Sequence, residues 1–136
     1  MGAWGTDTFE NDSACDWSHD LEDFDGLELV EQAIAAVLGL GPDDVGADVA
    51  TEALAACDVV ARLKGRFGVR DAYTESVDAW VANHRLVPSP KLVARALAVV
   101  DRVVARPSEL LELWEEGGEE AAWLESVAGL RKRIAG

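Results

Sequence analysis

The first 61 residues contain no lysine or arginine. Fifteen of the 26 acidic side chains stand in that stretch, so the first half carries only negative charge while the second half, with all twelve basic residues, is close to neutral. Charge segregated in this way predicts steered contacts, within the chain or with a partner. The net charge of −14 and pI near 4.3 count against nucleic acid and against an anionic membrane, since both need attraction to a negative surface. A basic or cationic protein surface is the expected partner, with a homodimer as the other way to bring the acidic half to the basic one.

Other shortages narrow the class further. The chain has two cysteines, four prolines and twelve glycines in 136 residues, too few to suggest a disulfide scaffold or a low-complexity segment. Cys15 and Cys57 fall within apolar helical patterns, with no second cysteine or histidine at metal spacing. They read as small core residues in a reducing, cytoplasmic setting. No apolar run approaches the roughly 18 residues of a membrane span, and a secretory signal is lacking. Met1-Gly2-Ala3-Trp4-Gly5-Thr6 fits the bare myristoylation pattern, but acids replace the usual polybasic second signal. At 49% hydrophobic residues, the chain can bury a core without metal or cofactor.

What is present is helical periodicity punctuated by Gly and Pro. Seven helices are predicted in a single all-α domain, an orthogonal or bundle-like array preceded by an anchored turn over residues 1–11. A helix over 12–24 starts behind Asn11 or Asp12 and places Ala14, Trp17, Leu21 and Phe24 inward. Asp25 and Glu28 form a capping box for a second over 26–38. An alanine-rich third runs over 46–64, and a short fourth follows Thr74 and carries Val77, Trp80 and Val81. The fifth, opened by Ser89 and Pro90, has an apolar arc of roughly 160° and is expected at the centre. Ser108 opens the sixth, and the seventh, over 119–134, turns Trp123, Val127, Leu130 and Ile134 inward.

Three groups of residues carry candidate chemistry. Asp12, Asp16, His19 and Asp23 lie within about 60° on the first helix, a spacing that suits a divalent ion and suggests a metal-dependent hydrolase. That stripe faces away from Trp17 and Leu21, so a solvated acidic face is the simpler reading, with no metal. In the fifth helix, Lys91, Arg95, Arg102 and Arg106 form a basic stripe about 22 Å long, placed to meet the acidic half or a partner. Trp4, Asn11, Asp12 and Asp16 could line a ligand pocket, with Trp4 and Phe9 buried as anchors of the N-terminal turn. The segment Asp23-Phe24-Asp25-Gly26 fails as a calcium loop, because alignment on Gly26 puts Leu21 and Gln32 at ligand positions. Gly39-Leu40-Gly41 is a helix end, and His84 at the end of the fourth helix reads as structural.

Met1-Gly2-Ala3-Trp4-Gly5, Phe9-Glu10-Asn11-Asp12, Ala14 and Asp16-Trp17 together resemble the start of a bacterial family known as domain of unknown function 4259. Ala53 through Ala61, Ser108 through Trp114, Trp123 and Leu130-Arg131-Lys132-Arg133-Ile134 extend the likeness, while Asp7-Thr8 departs from it. The resemblance implies a small helical bacterial protein and carries over no activity, substrate or catalytic residue. The functional expectation therefore rests on charge: a non-enzymatic binding or regulatory protein with a cationic partner. The alternatives are the metal-dependent hydrolase and a toxin-neutralising immunity protein.

Overall fold

The computed structural model describes residues 3–136, so Gly2 of the acylation pattern lies outside the described residues. Seven α-helices follow one another: α1 (Asp12–Leu21), α2 (Glu28–Leu38), α3 (Ala47–Leu63), α4 (Glu75–His84), α5 (Pro90–Val103), α6 (Glu109–Glu116) and α7 (Glu120–Ala135). There is no strand among the described residues, only isolated bridges joining Ala3 to Asn11 and Val45 to Ser108.

Three helices start where a polar side chain accepts from an otherwise unpaired backbone amide. Asn11 Oδ1 accepts from the Ala14 amide at 2.8 Å, Ser89 Oγ from Leu92 at 3.1 Å and Ser108 Oγ from Leu111 at 3.4 Å. Such caps contribute about 1 kcal/mol each. The expected capping box of α2 does not form. Leu27 occupies the cap position without a side-chain bond, and Asp25 lies instead 3.3 Å from His84 Nε2 on α4. α1 also stops at Leu21 rather than 24, because the connection that follows is held by α4: the Trp80 indole donates to the Phe24 carbonyl at 2.8 Å. His84 stacks on Trp80 and donates through Nδ1 to its carbonyl, so its role here is to bind α4 to that connection.

The centre of the molecule is α3, not α5. It packs against each of the other six helices, and ten consecutive residues from Ala53 to Arg62 are buried. Burial all round the axis requires close neighbours, and Ala50, Ala53, Ala55, Ala56 and Ala61 keep the helix thin enough to admit them. α5 buries Leu92, Ala96, Val99, Val100 and Val103 on the arc its periodicity marks out, but its other face is open. Cys57 is enclosed in this core, whereas Cys15 is only half-buried and donates its thiol to the Phe9 carbonyl.

The basic stripe is dispersed. Arg106 lies beyond the end of α5 and pairs with Glu115 of α6. Arg102 donates to the backbone carbonyls of Asp43 at 2.7 Å, Ala105 at 2.8 Å, Pro107 at 2.9 Å and Gly41 at 3.4 Å. Its guanidinium therefore stitches the α2–α3 loop to the α5–α6 loop, beside the backbone bonds Val45 N to Pro107 O and Glu109 N to Val45 O. None of the four basic side chains forms an ion pair with an acid of the first 61 residues among the described residues. Lys91 is exposed and Arg95 half-buried. Arg102→Ala should lower the unfolding free energy by about 1–2 kcal/mol, since hydrogen bonds from a charged donor are lost to two loops at once. Lys91→Ala should leave the melting temperature unchanged, which thermal unfolding of both variants checks.

Candidate functional site

The second half of α3 carries two charges inside an otherwise apolar run. Asp58 and Arg62 stand four residues apart, so they share a face, and they are 1% and 2% exposed. A charge so buried needs every polar atom partnered. Arg62 meets that demand with Nε on Asp58 Oδ1 at 2.8 Å, Nη1 on Asp78 Oδ1 at 2.7 Å and Nη2 on the Val69 carbonyl at 2.8 Å. Arg133 of α7 reaches Asp58 with both terminal nitrogens, at 2.8 and 3.1 Å, and donates also to the Arg66 carbonyl. Thr74, at the start of α4, donates to Asp78 Oδ2 at 2.9 Å. The Phe9 ring lies 5.5 Å from the Arg62 guanidinium carbon, a cation–π contact from the N-terminal segment.

A cleft of about 500 Å³ opens above this network, walled by residues 6–10, the α3–α4 connection and α7. Gly68 is needed on its wall, since a Cβ there would come within 2.7 Å of the Arg133 guanidinium carbon. Among the described residues, two exposed large hydrophobics, Val69 and Tyr73, line the cleft, and two more flank it: Trp4 through Tyr73, and Phe67 with its ring 5.8 Å from the Arg62 guanidinium carbon. Trp4, expected as a buried anchor, is 46% exposed and rests against Tyr73 with ring centroids 5.0 Å apart. Phe9 alone of that pair enters the core. Arg70 covers the Phe67 ring at 4.4 Å.

Electrostatically the cleft is acidic. Asp7, Glu10, Asp58, Asp71 and Glu125 line it against Arg62 and Arg133, whose guanidinium groups are already committed to acceptors. Burial alone would push the Asp58 carboxyl up. The hydrogen bonds from Arg133 and the charges of Arg62 and Arg133 outweigh it and hold the group below its ordinary value. Both thiols shift the other way. Burial raises Cys57 with help from Asp58, and burial followed by Asp12, Asp16 and Asp71 raises Cys15, so neither is an activated nucleophile.

The residues singled out by sequence are scattered around this centre. Asn11 is committed as the α1 cap and lines, with Asp12, a second cavity on the other side of residues 6–8. Asp16 and His19 are exposed on α1. Among the described residues, no three His, Cys, Asp or Glu side chains are grouped to hold a metal ion. Asp58, Arg62, Asp78 and Arg133 were not singled out. Their signal was an Asp–Arg pair at helical spacing inside the uncharged stretch Ala53–Leu63, a place where charge is expensive.

Asp58→Asn should lower stability at neutral pH by about 3–5 kcal/mol, because two guanidinium groups then lose their charged acceptor. The folded carboxyl titrates below the unfolded one, so its stabilisation is complete above the unfolded value and disappears as the pH falls through the folded value. Urea unfolding of wild type and variant from about pH 7 to pH 2 should therefore show the gap closing towards acid. A constant gap would attribute the loss to packing.

No helix among the described residues is long and apolar enough to cross a membrane. No curated protein and no solved structure matches the chain. A family model described as domain of unknown function (DUF4259) does match, over residues 2–126, which takes in α1 to α6, most of the cleft wall and the first turns of α7. By that match over most of its length, and by the helical fold that the likeness implied, the chain belongs to the DUF4259 family.

Proposed function

We propose that the protein is a non-enzymatic binding module that captures a cationic protein segment in the cleft above Asp58 and Arg62. The observation that carries this reading is exposed Val69 and Tyr73 in the wall of an acidic cleft, with exposed Trp4 packed on Tyr73 and exposed Phe67 beside Arg62. Exposed aromatic groups serve as anchors in interfaces, where a large ring gives contact area at little entropic cost. Scattered singly they need no explanation; clustered at a concave site they do.

The chemistry of the partner follows from the charges. The two arginines already spend most of their donors on Asp58, Asp78 and backbone carbonyls, while Glu125 is exposed on α7 at the cleft wall. A lysine or arginine flanked by an apolar side chain fits such a surface: the cation meets carboxylate and aromatic faces, and its neighbour covers the rings. The net charge of −14 steers a cationic partner inwards and repels a second copy of the same chain. The partner on this reading is therefore a different, basic protein.

Titration calorimetry with peptides of alternating basic and aromatic residues, against matched acidic and neutral peptides, tests the proposal. The basic set should bind, with affinity falling as salt rises. Trp4→Ala and Tyr73→Ala should each weaken binding about tenfold, equal to a loss of about 1.4 kcal/mol. Equal binding of the acidic set, or full affinity in both variants, would overturn it.

A further inference from the structure

The second cavity, of about 350 Å³, lies between the N-terminal segment, the start of α1, the start of α3, and helices α6 and α7. Its size falls near the lower end of the range of small-molecule sites, about 300–1,000 Å³. Apolar walls come from Leu54, Leu113, Trp114, Trp123 and Val127. The two indoles lie nearly parallel, 13° apart, with ring centroids at 6.4 Å. A body of hydrocarbon or aromatic character is what such walls accept.

The polar lining is one-sided in charge. Among the described residues, Asp7, Asp12 and Asp48 are the ionisable groups of its lining, with no lysine, arginine or histidine beside them. Asp7 already accepts from Ser126 Oγ and Asp48 Oδ1 from Ser13 Oγ, each at 3.1 Å. Asp12, in the first turn of α1, is exposed at the cavity. An organic anion entering here would meet carboxylates and, among the described lining residues, no counter-charge. A neutral molecule would leave them as they are, whereas a cation gains from the carboxylates nearest it and displaces little of value from the apolar walls.

We propose that this cavity is a binding site for a small organic ammonium ion with an apolar body, which places its charge by Asp12 and Asp48 and its body against Trp114 and Trp123. The proposal does not depend on the peptide cleft, although residues 6–8, Ser126 and Leu130 wall both cavities. What recognises the ligand is the pairing of positive charge with an apolar body small enough for a cavity at the low end of the ligand range.

The probes are n-hexylammonium, hexanoate and hexanol, titrated into the full chain while the indole N–H resonances of Trp114 and Trp123 are followed by NMR. Hexylammonium should shift both saturably with one site per chain, at least tenfold more tightly than hexanoate or hexanol. The double variant Asp12→Asn, Asp48→Asn should remove the preference for the cation. Leu113→Trp, which fills the cavity without changing charge, should abolish the shifts. Trp4→Ala should leave hexylammonium binding unchanged, so a failure of the peptide cleft and a failure of this site are told apart. Absence of saturable shifts, equal affinity for hexanoate, or binding that survives Leu113→Trp would each overturn the proposal, the last by showing only diffuse attraction to the acidic surface.

Discussion

The Asp58 carboxylate, held between two guanidinium groups on the one helix that touches all the others, is the constraint on which the arrangement depends. Burying this carboxylate is costly in itself, and the cost is offset only if Arg62 and Arg133 are both in place. Arg62 then requires Asp78 and the Val69 carbonyl, Asp78 engages Thr74, and Phe9 covers the guanidinium face. One ionised group thus fixes α3, α4, α7, the loop between the first two and the N-terminal segment relative to one another. An apolar replacement of similar volume could fill the space, but it would not dictate which of several helix faces meets which.

Helix content was legible because its signals are local. Asn11, Ser89-Pro90 and Ser108 begin helices where short polar residues precede apolar periodicity, and the inner faces of α5, α6 and α7 follow their 3.6-residue pattern. α2 shows the limit of such signals: Asp25 and Glu28 have the right spacing, yet the Asp25 carboxylate is drawn to a histidine 59 residues away. The centre was misjudged for a related reason. Periodicity rewards large apolar side chains, which favours the valines of α5, while the depth of α3 comes from alanines that barely register. Asp58 and Arg62 could be seen as an anomalous pair, but Arg133 is 75 residues from Asp58 and only the tertiary fold joins them.

Within the chain, the predicted basic stripe and the acidic half form no ion pair among the described residues. Arg102 of α5 gives its donors to backbone carbonyls, and Arg106, beyond the helix end, pairs within the second half. Asp58 is the acid of the first half that is fully internalised. Most of the others stay at the surface, where the field they create acts outwards and long-range attraction of cations is the physical result.

α3 also sets how the molecule opens. Fraying at α1, α6 or the C-terminal end of α7 uncovers only one side of it, because five other helices still enclose its axis. Its amides, from Ala53 to Arg62, therefore become accessible to solvent deuterium only when the whole fold is lost, and their exchange reports global stability. The exposed residues of the α3–α4 connection, by contrast, lie outside that enclosure and are open to exchange by local fluctuation. A single chain thus combines a slow interior with a fast perimeter, and the boundary between the two runs along the floor of the cleft, where Asp58 and Arg62 face the groups that line it.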